Sequence, residues 1–196
     1  MKAIRLEQNG GPDVLALADI PAREPGADEV RVKHHVIGVN FIDTYQRSGL
    51  YKIALPSGLG LEAAGVVDAI GDGVTRFKVG DRVVYASGPI GAYAESNIVK
   101  AAQAVKLPDA IPFDIAAASL LKGMTARFLL RKTFRVERGH DVVIHAAAGG
   151  VGQIAVQWAK HLGATVIAIV GNDAKAAIAT ALGADHTILQ TEDIAK

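Results

Sequence analysis

Residues 142–158 read VVIHAAAGGVGQIAVQW. The opening run, Val142 to Ile144, has the β-branched composition of a buried strand. From Val151 onward, Ile154, Ala155, Trp158, Ala159 and Leu162 recur at helical spacing and form one apolar face. Between strand and helix lies Ala146-Ala147-Ala148-Gly149-Gly150-Val151-Gly152. Aligned on its last glycine, this turn matches a dinucleotide fingerprint at Gly149 and Gly152, with Ala147 in the first glycine's place. The middle glycine lets backbone approach a pyrophosphate, and the last lets helix and strand pack closely. The first serves a tight turn, for which a small residue suffices. Amides at the helix start then face an anion, aided by the helix dipole. A glycine-rich strand–helix turn without ligand is the competing reading, and the surrounding sequence decides between them.

That sequence continues the alternation. TVIAIV (165–170) reads as a strand, DAKAAIATAL (173–182) as a helix and HTIL (186–189) as a third strand. Both helices end alike, in Leu162-Gly163-Ala164 and Leu182-Gly183-Ala184. This predicts a βαβαβ unit with right-handed crossovers, the first half of a Rossmann doubly wound sheet. The strip predicted to meet a dinucleotide is Gly149, Gly150, Val151 and Gly152, then Gly171, Asn172 and Lys175. An NAD site usually places an acid at the end of the second strand, roughly 20 residues on. Here that strand ends in Val170-Gly171-Asn172, and Lys175 falls in the first turn of the next helix, where the dipole disfavours a cation. A bound 2′-phosphate would offset that cost, so the spacing predicts NADPH rather than NADH. Asp173 could cap this helix or repel that phosphate, and a solvated surface lysine is the plainer alternative for Lys175.

The preceding residues have another texture. From Met1 to about Val105, short β-rich runs (AIRL, VLALADI, EVRVKHHVIGV, AAGVVDAI, RVVYA, GAYAESNIV) alternate with turns such as GGPD, EPGADE and GDGVTRFKVGD. This predicts a small barrel or sandwich-like β domain. IPFDIAAASLLKGMTARFLLRKTF (111–134) reads as helical, with Gly123 a candidate break into two helices. The expected class is α/β with a β-rich N-terminal part, divided at 1–121 and 122–196.

Composition narrows the partners. Half of the 196 residues are hydrophobic and the formal net charge is +1. That gives no electrostatic case for nucleic acid or an anionic membrane surface. The chain has no cysteine, so disulfides and thiolate metal sites are out, and a cytoplasmic protein is the expectation. MKAIRLEQNGGP lacks the apolar core of a signal peptide, and charges or glycines interrupt every apolar run before membrane-spanning length.

Several segments, in order along nearly the whole chain, converge on one family: GVNFIDTYQRSGLY, LPSGLGLEAAGVV, VGDRVVYA, GAYAE, AAASLLKGMTA and HAAAGGVGQIAVQWAKHLGA. The chain resembles the zinc-free, zeta-crystallin-like quinone oxidoreductases of the medium-chain dehydrogenase/reductase superfamily. The resemblance implies a GroES-like β domain, then a nucleotide-binding domain, with the active site in the cleft between them. It implies an NADPH-dependent enzyme, often dimeric, that reduces a small quinone by hydride or single-electron transfer. It also implies that the chain stops midway through the Rossmann domain, leaving a poor catalyst prone to self-association. Where zinc-dependent relatives carry Gly-His-Glu, this chain has Gly60-Leu61-Glu62, and its six histidines lack ligand spacing.

The resemblance places Asn40, Phe41, Asp43 and Tyr45 beside the nicotinamide and its ribose, with Tyr51 nearer the substrate mouth. Asn40, Tyr45 and Tyr51 are the candidate catalytic groups, since an amide and phenols can donate to a quinone oxygen. Asn40 followed by Asp43 also reads as a helix cap with an acid in the first turn. Lys122, Thr125 and Phe128 are placed along the cofactor, with a solvated lysine and a core phenylalanine as the plainer alternatives. Gln190 follows the third strand, where many relatives carry an adenosine-facing tyrosine. Two rival functions stay open: an enone or enal double-bond reductase of the same superfamily, and a non-catalytic NADPH-binding, crystallin-like protein.

Overall fold

The computed structural model describes residues 1–191, which divide into two compact units, Met1–Leu121 and Lys122 onward. In the first unit, β1 (Lys2–Arg5) and β2 (Ala16–Asp19) form an antiparallel pair. Five further strands follow: β3 (Glu29–Gly38), β4 (Glu62–Ile70), β5 (Arg82–Tyr85), β6 (Ser96–Lys100) and β7 (Ala104–Lys106). They form one antiparallel sheet in the order β6-β3-β4-β5-β7. Single bridges from Ala3 to Ala94 and from Leu6 to Ser57 tie the β1–β2 pair to the rest of the unit.

Alternation along the strands builds two separate cores. On β3, Val30 and Val32 are buried while Arg31 and Lys33 are not. They pack with Val67, Val83, Tyr85 and Val99. Successive strand residues face opposite sides, so Ala63 joins this core and Ala64 the other, with Val84, Leu107, Ala116 and Ala117. The last two stand on α2 (Phe113–Arg127), which covers that face. A short helix, α1 (Phe41–Ser48), links β3 toward β4.

Two expectations are corrected here. Gly123 does not break the long helix: α2 runs through it unbroken, because the helix formers Leu120, Leu121, Lys122, Met124 and Ala126 hold the turn around one glycine. The irregularity comes at Phe128–Thr133, where the backbone winds as a π-helix. GAYAESNIV is strand only from Ser96, because Gly91 (φ 128°) and the bends around it turn the chain away from the ladder.

The second unit holds a parallel sheet in the order β10-β9-β8, from β8 (Asp141–His145), β9 (Thr165–Val170) and β10 (His186–Leu189). Helix α3 (Gly150–His161) joins the first two strands and α4 (Asp173–Ala181) the next. Val156, Ala159, Val166, Ala168, Val170 and Ala179 make its core. Both repeated Leu-Gly-Ala endings behave as helix stops, with Gly163 at φ 87° and Gly183 at φ 100°, conformations that favour glycine. The chain is thus α/β, a β-rich part followed by a Rossmann-like parallel βαβαβ sheet.

Candidate nucleotide and substrate site

The glycine turn of the second unit is built from its packing. Ala147, in the first fingerprint position, is fully buried, and its N–H donates to Ile169 O on the neighbouring strand. The left-handed residue is not there but one earlier, at Ala146 (φ 51°). A methyl group at Gly152 would press on Ala146 O and lie 2.7 Å from the carbonyl carbon of Ala147, so this glycine is required for helix–strand contact. Gly149 is the N-cap of α3, and its N–H turns back to Ala146 O at 2.8 Å. The first helix-internal bond reaches Gly149 O from Gln153 N–H. The amides of Gly150, Val151 and Gly152 precede it, the position of unfilled donors at a helix start. No side chain caps them. Gly149 and Gly150 are exposed. The stem of Lys122 flanks Gly150: a methyl group there would lie 2.9 Å from Lys122 Cδ and Cε.

At the tip of β9, Asn172 caps α4, its Oδ1 accepting from Lys175 N–H at 3.0 Å. The lysine side chain is exposed. Gln190 N–H donates to Val170 O, and its Oε1 would lie 3.8 Å from a methyl group at Gly171. Gly171, Asn172, Lys175 and Gln190 therefore gather at one end of the parallel sheet, beyond its strands' carboxyl ends, where α/β folds bind ligands. On α2, Thr125 is half-buried, whereas Phe128, just past its end in the π-helical turn, is 60% exposed and belongs to no core.

In the first unit the NFIDTY segment is α1 with its cap. Asn40 is extended (φ −129°) and N-caps the helix. Asp43 in the first turn takes the Asn40 N–H on Oδ2 at 2.9 Å. The same oxygen accepts from the Tyr93 hydroxyl at 2.8 Å. Burial and then the adjacent carboxylate hold the Tyr93 phenol above its ordinary range. At the other end, Gly49 (φ 83°) closes the helix, and Asn9 Nδ2 donates to the carbonyls of Gln46 and Arg47. Phe41, Tyr45 and Tyr51 form an aromatic ledge: Phe41 meets Tyr45 edge-on at 5.2 Å, and Tyr45 lies 5.3 Å from Tyr51. Phe41 is 73% exposed and Tyr51 51%. Asn40 and Asp43 are buried beneath.

Sequence reasoning missed two members of this cluster. Glu62 is fully buried, accepting from Asn40 Nδ2 at 2.8 Å and from Leu121 N–H at 2.7 Å. Its signal was an acid heading the otherwise apolar EAAGVV strand. Tyr93 carried no signal beyond the GAYAE segment.

Among the described residues, no group of three or more His, Asp or Glu could hold a metal ion. The described residues therefore supply no donor set that fits a catalytic zinc. No helix of the described residues is long and apolar enough to cross a membrane.

Comparison with known proteins gives a consistent answer. Residues 26–109 match the alcohol dehydrogenase GroES-like domain, and residues 150–196 match the zinc-binding dehydrogenase family. A quinone oxidoreductase of Pseudomonas aeruginosa is 53% identical over 188 residues, covering 95% of this chain and 58% of that protein. The crystal structure of Escherichia coli quinone oxidoreductase complexed with NADPH superimposes with a TM-score of 0.97 at 48% identity, over 99% of this chain and 60% of that one. A 2-haloacrylate reductase of a Burkholderia species is 43% identical, over 97% of this chain and 60% of that protein. The chain thus spans about three-fifths of the length of these relatives. It belongs to the medium-chain dehydrogenase/reductase superfamily.

Proposed function

We propose that the chain binds NADPH and serves the reduction of a small quinone without zinc. The observation that carries this is the α3 start: three uncapped amides beside exposed Gly149 and Gly150, in a chain similar throughout to an enzyme whose structure holds NADPH. The residues fit the cofactor. Gly150, Val151 and Gly152 amides receive the diphosphate, and Lys122 beside Gly150 adds positive charge. Gly171, Asn172 and Lys175 receive the adenosine ribose and its 2′-phosphate, and Gln190 borders the adenine.

The bound cofactor supplies the hydride. The chain's own residues bind, orient and stabilise. The Phe41–Tyr45–Tyr51 ledge gives flat aromatic surface to a quinone ring. The Tyr45 and Tyr51 hydroxyls donate toward the quinone oxygen as it gains charge. Thr125 and Phe128 border the nicotinamide. Asn40 and Asp43, buried, hold the ledge in place rather than meeting solvent. A quinone is already electron-poor, so placement and charge stabilisation carry the catalysis.

A second reading is favoured by one comparison, the 2-haloacrylate reductase at 43% identity. That protein's name denotes reduction of an electron-poor alkene, which the same ledge could serve. We further assign a cytoplasmic homodimer. The absence of cysteine supports the compartment, and the resemblance to an often dimeric family supports the association.

The test is calorimetric titration with NADPH and NADH, on the wild-type chain and on Lys175→Glu. NADPH should bind at least about tenfold tighter than NADH, and the variant should lose that preference. Equal affinity for both in the wild type removes the 2′-phosphate assignment, and no binding of either removes the function. Turnover with a benzoquinone against a 2-haloacrylate separates the two substrate readings.

A further inference from the structure

Glu62 heads β4 with none of its surface exposed. A carboxylate so placed is costly unless donors satisfy it. Its two oxygens serve donors from different elements: Oε2 takes Asn40 Nδ2 at 2.8 Å and Oε1 takes Leu121 N–H at 2.7 Å. Asn40 caps α1. Leu121 lies inside α2, where a backbone N–H ordinarily serves the carbonyl four residues earlier, that of Ala117. That carbonyl lies against Gly38, where a methyl group would also sit 2.6 Å from Glu62 Oε2. The end of β3, the cap of α1 and the middle of α2 therefore close around one carboxylate.

We propose that Glu62 is a positioning residue for the reaction assigned above. By gripping Asn40 and Leu121 at once, it fixes the start of α1, and with it the Phe41–Tyr45–Tyr51 ledge, against the α2 backbone of the first unit. Glutamine would turn an NH2 group toward one of the two donors, aspartate is one methylene shorter, and an apolar residue would remove both of these hydrogen bonds. Asp43 extends the grip, since its Oδ2 joins the Asn40 backbone to Tyr93. The inference rests on the NADPH–quinone reading for its catalytic consequence but not for its geometry.

The experiment uses Glu62→Gln in the 196-residue chain, with two readouts. In amide exchange by NMR, the Leu121 amide should exchange about tenfold faster relative to its α2 neighbours, with a shift of the Asn40 side-chain amide resonance. In benzoquinone reduction, kcat should fall about tenfold with KM for NADPH held within about twofold. Unchanged Leu121 exchange overturns the proposal. So does a lowered Tm with kcat per folded molecule unchanged, which would make Glu62 merely structural. If the wild-type chain, three-fifths the length of its relatives, turns over no quinone, the exchange arm alone decides whether Glu62 holds the two elements, and NADPH titration decides the functional reading. If Glu62→Gln does not fold, Asn40→Ser keeps a capping oxygen while removing the Nδ2 donor. It should keep Leu121 protection and lose kcat, and unchanged kcat overturns the proposal.

Discussion

Gly152→Ala tests the glycine turn most directly. The added methyl would lie 2.7 Å from both the carbonyl carbon and the α-carbon of Ala147, and closer still to Ala146 O. All three are backbone atoms, in a segment anchored by Ala147 N–H to Ile169 O. No flexible side chain can yield, so α3 must move off β8. Overpacking of this kind costs about 1–3 kcal/mol, and a clash with backbone on one side belongs at the upper end. For a chain of this size, about 3 kcal/mol lowers Tm by roughly 6–12 °C. Gly171→Ala is the control, since its methyl would meet nothing nearer than Gln190 Oε1 at 3.8 Å; it should melt within about 2 °C of wild type. Scanning fluorimetry with and without NADPH reads both effects. At coenzyme 100-fold above Kd the wild type should gain about 2.7 kcal/mol. Gly152→Ala should gain much less, because moving α3 moves its amides. A Gly152→Ala chain that melts with the wild type and keeps the NADPH shift would refute the packing argument and the phosphate cradle together.

Other outcomes follow from single contacts. Tyr93→Phe removes the hydroxyl that donates to Asp43 and should cost about 1.5–3 kcal/mol in urea unfolding. Asn172→Ala strips the α4 cap and should cost about 1 kcal/mol. The His34 Nδ1 lies 2.7 Å from Ala94 O and its Nε2 lies 3.0 Å from the Tyr85 hydroxyl, and burial holds its pKa below the ordinary value. The unfolded chain then binds the extra proton first, so stability should fall as pH drops below about 6.5, by at most about 1.4 kcal/mol per pH unit. His34→Gln should flatten that slope between pH 7 and 5, measured by urea titration.

The parallel half of the fold was legible because its signals are local. Strand, turn and helix follow one another within a few residues, and Gly163 and Gly183 mark both helix ends. Asn40 and Asp43 likewise announced a helix start that the structure contains. The β-rich half was legible as strands but not as an order. Pairing β6 with β3 rather than with β5 is a long-range choice that no local pattern encodes. β7, only three residues long, left no periodicity to read. The polar cluster was half visible for the same reason. Glu62 meets Leu121 across 59 positions of sequence, and Tyr93 meets Asp43 across 50. The π-helical winding at Phe128–Thr133 had no marker, since FLLRKT suits an ordinary helix equally well.

Ala146 bends left-handed with a side chain in place, at φ 51°. An L-residue there costs roughly 1–2 kcal/mol, which a glycine would avoid. The methyl also denies the loop the mirror-image backbone states open to glycine. A loop that must present amides to a ligand thus spends some fold stability on stiffness, and a ligand arriving there has less disorder left to quench.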